Sequence, residues 1–245
     1  MRMRRKPNLE KRLGKCASVL IAEPASLRGD WLKALPDYRA LEVELGCGKG
    51  RFTADRAEEA PDVLLVAVER DPSALVMAME RILARGIGNV RFICGNVDML
   101  CECFAPDEVS GIFLNFCDPW PKSRDAKLRL TAPGFLRRYA SVLPAGGELR
   151  FKTDNAPLFD WSLLQLASEG WTVRDATHDL HEKGITGILT DYEARFLEQG
   201  MKICRLTAVR EAGTKSTSDG EPARLRDASL SDARANTQPT LIKEK

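Results

Sequence analysis

From residue 41 the hydrophobic positions of the chain fall into short β-rich runs separated by stretches of helical period. That alternation predicts a parallel sheet with helices on both faces. Strands are predicted near 41–45, 63–69, 90–94, 109–116, 147–152, 171–176 and 201–209. Between the second and third, Asp71-Pro72 supplies an N-cap and a first-turn proline, and Leu75, Met79, Ile82 and Leu83 then recur at helical spacing. Glu80, Arg81 and Arg85 are left to face water, and Gly86 ends the helix. Phe159, Leu163, Leu164 and Leu166 predict a helix after Asn155, and Phe135, Leu136 and Tyr139 another across 131–142. Met77 and Met79 read as core filler.

The periodic region ends near 210. Residues 211–245 contain no aromatic residue and are rich in small polar and charged ones, so a disordered polar tail is expected there. Residues 1–30 read as a basic N-terminal arm, which leaves 31–210 as one globular domain. A hydrophobic fraction of 44% and a charged fraction of 29% exclude a disordered or membrane-embedded chain. The apolar run 63–68 is far too short to span a bilayer, and Met1-Arg2-Met3-Arg4-Arg5-Lys6-Pro7 leads into no apolar segment of a secretory signal. No membrane partner and a cytoplasmic location are expected. Seven cysteines, one necessarily unpaired and none in a C-x-x-C, fit reduced thiols; Cys101-Glu102-Cys103 lies far from His178 and His181, so no metal is expected.

Charge adds a partner class. The net charge is only +2, but residues 1–15 carry seven Lys or Arg against the single acid Glu10. A second basic stretch, Lys122, Arg124, Lys127 and Arg129, continues into Arg137 and Arg138. Each cluster alone reads as a solvated face; two together point to a polyanion.

Candidate chemistry begins where the first strand, 41–45, runs into Gly46-Cys47-Gly48-Lys49-Gly50. Such a strand-to-helix turn lets a ligand approach bare backbone. Lys49 is followed by Gly50 rather than Ser or Thr, so a triphosphate-gripping loop is disfavoured. Glu69 closes the second strand about where an acid meets ribose hydroxyls, as either NAD or S-adenosylmethionine requires. Glu44 in the loop mouth repels a pyrophosphate and suits a cationic methionine end. Asn96 and Asp98 follow the third strand and either read an adenine edge or cap the next helix. Asp118 and Lys122 follow the fourth strand and point to the same crevice.

Phe116-Cys117-Asp118-Pro119-Trp120-Pro121-Lys122, followed by Arg124, Lys127, Arg129 and Leu130, resembles the bacterial tRNA guanine-N7 methyltransferases. The resemblance covers most of residues 1–210. It extends to Glu44-x-Gly46-x-Gly48-Lys49-Gly50, to Phe151-Lys152-Thr153-Asp154-Asn155, and to Thr190-x-Tyr192-Glu193 with Phe196 and Gly200. Cys117 stands where that family has proline, Ser123 for a basic residue, Asp125 for a histidine and Leu128 for an arginine. The resemblance implies an α/β, Rossmann-like class I methyltransferase with a seven-stranded, mostly parallel sheet whose last strand is antiparallel. It implies S-adenosylmethionine held at Glu44, Gly46, Gly48, Glu69, Asn96 and Asp118. Substrate contacts are implied at Lys122, Asp154, Thr190, Asp191, Tyr192 and Glu193. The reaction implied is methylation of a variable-loop guanosine at tRNA position 46, by a monomer or homodimer.

The chemistry agrees with few demands on the protein. Guanine N7 carries an in-plane lone pair and no proton, so positioning and charge stabilisation replace a general base. Asp118 is the first candidate catalytic residue, because a carboxylate there follows the positive charge onto the purine. Asp154 or Glu193 can accept the N1–H and N2–H donors, with Asp154 as a helix N-cap the competing reading. Lys122 suits O6 or a phosphate, and Trp120 or Tyr192 is either a stacking surface for an extruded base or core. The rivals are methylation of another nucleic-acid amine, an NAD-dependent oxidoreductase and a non-catalytic RNA-binding protein.

Overall fold

The computed structural model describes residues 7–216 of the 245-residue chain. Its centre is a seven-stranded sheet in the order β3-β2-β1-β4-β5-β7-β6. The strands are β1 (Ala40–Leu45), β2 (Val63–Glu69), β3 (Val90–Cys94), β4 (Gly111–Asn115), β5 (Glu148–Thr153), β6 (Trp171–Thr177) and β7 (Cys204–Arg210). The pairs from β3 to β5 are parallel, while β7 runs antiparallel to both β5 and β6. The helices are α1 (Leu9–Lys15), α2 (Trp31–Ala34), α3 (Arg51–Glu59), α4 (Pro72–Ala84), α5 (Leu100–Cys103), α6 (Pro133–Val142), α7 (Ala156–Ser168) and α8 (Asp191–Glu198).

Burial explains the strand patterns. In β2 the six residues before Glu69 are all buried, as expected for a strand covered on both faces. Leu64, Val66 and Val68 join a cluster with Trp31, Tyr139 and Phe159, while Leu65 and Ala67 join one with Phe52, Leu75 and Met79. At the edge, β6 exposes most of its length, and its register with β7 shifts between Arg174 and Thr177, where Asp175 takes φ +50°. A bulge of that kind blunts an edge against pairing with other chains.

The predicted strand boundaries are furthest off at β4 and β7. β4 is confined to Gly111–Asn115 because Phe116 turns to φ +55° and leaves the ladder. β7 begins at Cys204 rather than 201, since Ile203 instead accepts a hydrogen bond from the Leu180 amide.

The described part of the expected basic arm, residues 7–30, is packed on the domain rather than extended from it. Leu9 and Leu13 of α1 pack against the cluster beneath α4, and Arg12 donates twice to the Glu80 carboxylate, at 2.7 and 2.6 Å. Val19 and Ile21 exchange backbone hydrogen bonds with Phe92 of β3. Four apolar residues among the cations, Leu9, Leu13, Val19 and Leu20, therefore outweigh the charge count. At the other end Thr214 is buried and donates to the Gly170 carbonyl. The remainder of the expected tail, 217–245, and residues 1–6 lie outside the described residues. No helix among the described residues is long and apolar enough to cross a membrane.

Candidate active site

The sheet reverses its order between β1 and β4, the point at which open parallel sheets hold a ligand outside the carboxyl ends of their strands. After β1, Gly46 and Gly48 take φ +82° and +57°, conformations that favour glycine. A Cβ on either would meet nothing within 4 Å, so bare backbone faces open space. Gly50 serves packing instead, because a Cβ there would lie 2.6 Å from Cβ of Ala78 in α4.

One carboxylate braces this turn and a second joins α3 to β4 beside it. The Glu69 carboxylate accepts from the Gly48 amide at 2.9 Å and from the Asp71 amide at 2.9 Å, fixing the loop to the end of β2. Glu44 is buried beneath the loop, accepting from Thr53 Oγ1 at 2.6 Å and from Asn115 Nδ2 at 3.3 Å. Burial pushes its carboxyl up to about 7, against the opposing effect of those two hydrogen bonds and with help from nearby Glu69.

Asn96 stands at the start of the short 3₁₀ turn Val97–Met99 but makes no side-chain cap bond. Its amide donates to Asp98 at 2.8 Å, and Asp98 accepts in turn from Arg138. Asn96 borders a small apolar slot of about 10 Å³ between Leu45, Val68 and Leu100.

The loop after β4 holds two left-handed non-glycine residues, Phe116 at φ +55° and Trp120 at φ +42°. Such conformations cost on the order of 1–3 kcal/mol each and persist only when their surroundings enforce them. Here the Phe116 amide donates to the Lys152 carbonyl at 2.9 Å. The Arg129 guanidinium donates to the carbonyls of Pro119 and Trp120 at 3.0–3.2 Å and lies over the Trp161 ring, 4.4 Å from its centre. Asp118 is thereby carried outward, exposed, with Arg70 Nη2 at 3.3 Å. Lys122 is exposed where the 3₁₀ turn Ser123–Leu128 begins. Burial pushes the Cys117 thiol up to about 12, so it stays protonated.

The basic stretch divides once its partners are known. Arg129 clamps a loop, Arg137 pairs with buried Glu169 at 2.7 Å, and Arg138 pairs with Asp98 at 3.0 Å. Lys122, Arg124 and Lys127 are left facing solvent.

Asp154 follows β5 and is half-buried, near enough to Cys117 to act on its thiol. The N-cap of α7 is its neighbour Asn155, whose Oδ1 accepts from the Leu158 amide at 2.8 Å. Residues 190–193 split inward and outward. Thr190 and Glu193 form a capping box on α8, and the fully buried Glu193 carboxylate also accepts from Lys152 Nζ at 3.1 and 3.2 Å and contacts His181 Nε2 at 2.9 Å. Asp191 faces Arg81 at 3.6 Å. Tyr192 is exposed, with Phe116 and Phe196 beneath it at ring separations of 6.4 and 6.3 Å. That aromatic contact joins residues 190–193 to the Asp118 loop. Sequence reasoning named Lys152 and Arg129 only as members of motifs and His181 only against a metal site, gave none of them its role here, and did not name Arg70; none has a period or spacing that announces its partner.

A family described as "Putative methyltransferase" matches residues 39–206. The tRNA (guanine-N(7)-)-methyltransferase of Geobacillus kaustophilus is 38% identical over 211 residues, covering 86% of this chain and 97% of that protein. That of Brevibacillus brevis is 40% identical over 210 residues, covering 85% and 98%. Among solved structures, the 16S rRNA methyltransferase KamB superposes with a TM-score of 0.60 at 17% identity, over 75% of this chain and 93% of that one. A 16S rRNA (adenine(1408)-N(1))-methyltransferase from Catenulisporales acidiphilia, solved with its cosubstrate SAM, does so with a TM-score of 0.52 at 18% identity, over 79% and 93%. At such identities the structures establish the shared fold.

Proposed function

The chain belongs to the tRNA (guanine-N7-)-methyltransferase family, and from that membership we propose a division of its residues between a cofactor crevice and a guanine-reading face. The reaction is transfer of a methyl group from S-adenosylmethionine to N7 of a guanine in tRNA. What carries the reading is the meeting, at the β1/β4 reversal, of the open glycine turn, the Glu69 carboxylate that braces it, buried Glu44 and the Asp118 loop.

S-adenosylmethionine supplies an electrophilic methyl on a sulfonium. Bare backbone at Gly46 and Gly48 leaves room for its methionine portion, and Glu44 beneath the turn suits the ammonium group. Glu69 retains lone pairs for ribose hydroxyls while it holds two loop amides, and Asn96 beside the apolar slot suits an adenine edge. Asp118 stabilises the positive charge that the purine gains, since its carboxylate is fixed on a clamped loop before the substrate arrives.

On the substrate side Asp154 accepts the N1–H and N2–H donors of guanine. Its neighbour caps α7, so the Asp154 carboxylate is not spent on that helix. Glu193 already satisfies Lys152, the Thr190 amide and the cap of α8, and acts by fixing residues 190–193 in place. Tyr192 offers a ring for stacking, and Lys122 a cation for O6 or a phosphate. A guanosine of the variable loop, at tRNA position 46, is the target assigned.

Incubation of tRNA with methyl-labelled cofactor, followed by nucleotide mapping, tests this reading. The expected product is one 7-methylguanosine in the variable loop. Label on an exocyclic amine instead would transfer the protein to the competing reading, methylation of another nucleic-acid amine.

A further inference from the structure

We propose that the open cleft between α3, α4 and the start of α8 binds a backbone phosphate of the RNA substrate through Arg51 and Arg81. The proposal rests on the tRNA reading above and adds a second place where that RNA is held.

The cleft has a volume of about 440 Å³ and is lined by Arg51, Asp55, Arg81, Arg85 and Asp191. Its three arginines are not equivalent. Arg85 is committed, donating to Asp55 at 2.7 Å and to both oxygens of Glu58. Arg51 reaches Asp55 only at 3.9 Å and Arg81 reaches Asp191 only at 3.6 Å, beyond hydrogen-bond distance in both cases. Each guanidinium therefore keeps a fork of donors turned to an open, polar space. An RNA phosphate accepts such a fork in a bidentate manner. Arg85 supplies the hydrogen bonds that Asp55 and Glu58 accept, which leaves the donors of Arg51 unspent for an incoming anion.

Position identifies the anion. Asp191 precedes Tyr192, and Ile188 packs against the apolar cluster beneath α3 and α4, so the segment that carries the substrate-side residues is seated on the cleft wall. A phosphate held there belongs to a nucleotide close to the target base. Arg81 also follows Glu80, the residue that grips Arg12 and lies within electrostatic reach of Lys15.

The test is the double variant Arg51→Gln/Arg81→Gln, beside Arg51→Lys/Arg81→Lys, with tRNA affinity measured by filter retention over a range of salt. Loss of two phosphate contacts should weaken tRNA binding on the order of tenfold at moderate salt and reduce the slope of log K against log salt by roughly 1–2. Cofactor affinity measured by calorimetry should stay unmoved, and the lysine pair should keep most of the slope, because a point charge survives. Unchanged tRNA affinity and slope in a glutamine variant of native melting temperature would overturn the phosphate site. So would a loss of cofactor binding in parallel with tRNA binding, which would make the arginines scaffold. A wild-type protein that neither binds nor methylates tRNA overturns the underlying reading instead, and this is measured first.

Discussion

Asp154 and Asn155 are adjacent and similar in size, and the proposed function gives them different tasks. Asn155 caps α7, so Asn155→Ala should cost about 1 kcal/mol in urea denaturation and leave turnover intact in the folded enzyme. If Asp154 reads guanine as proposed, Asp154→Asn should melt near the native temperature yet lower methylation by on the order of a hundredfold, because an amide donor replaces one of its two acceptor oxygens. Near-native methylation by that variant would take guanine reading away from Asp154. The sequence left Asp154 open between cap and reader, since either fits the turn before a helix; backbone geometry gives the cap to Asn155. Glu44 yields a pH prediction. Its carboxyl is lifted from an ordinary 4.5 to about 7 by burial. Between those values the folded chain holds a proton that the unfolded chain has released, so this contribution to stability is complete at low pH and is lost as pH rises through about 7. The slope amounts to ~3 kcal/mol across the window, and Glu44→Gln should flatten it in urea titrations at successive pH. An ammonium group needs the ionised acid, so cofactor affinity should climb with pH toward 7 with proton release. Affinity and release independent of pH would remove Glu44 from the ammonium site.

At the scale of elements, strands β1 to β5 were readable because continuous or alternating apolar runs leave little choice of burial. Helix α8 was not readable in that way. Its Thr190-x-x-Glu193 spacing is a capping-box signature, but Glu193 is its only fully buried residue and no long apolar stripe follows. What docks it is a polar hub: Glu193 from α8, Lys152 from β5 and His181 from the intervening segment, joined at 2.9–3.2 Å with Glu193 wholly buried. Burial pulls the Lys152 ammonium below its usual range, against the pull of Glu193. Breaking one side of such a pair leaves an uncompensated buried charge and costs about 3–5 kcal/mol. Lys152→Ala should therefore lose that much stability by denaturation and raise the Michaelis constant for tRNA, because the docking of residues 190–193 loosens. Cofactor affinity should hold, since Glu44, Glu69 and the glycine turn lie on other strands. A loss below 1 kcal/mol would mean that apolar contacts, not this hub, seat α8.

For the whole molecule, the parallel α/β class follows from alternation along the chain, but the strand order does not. The reversal at β1/β4 and the placing of β7 between β5 and β6 arise from long-range pairing that local sequence does not encode. The basic amino terminus was misleading for a related reason. A charge count separates it from the domain, whereas Leu9 and Leu13 pack on the core and Arg12 is held by Glu80. Charge and docking can be separated experimentally. Replacing Arg2, Arg4, Arg5 and Lys6 by serine removes four cations and changes no residue of α1. If those cations meet phosphates, the variant should keep its melting temperature and its turnover at saturating tRNA, raise the Michaelis constant for tRNA, and lower the salt slope by up to about 3. Deleting residues 2–12 takes the same cations together with Leu9 and the Arg12–Glu80 pair, so it should add a drop in melting temperature that the serine variant lacks. An unchanged Michaelis constant and salt slope in the serine variant would confine the role of the amino terminus to α1 and its packing on α4.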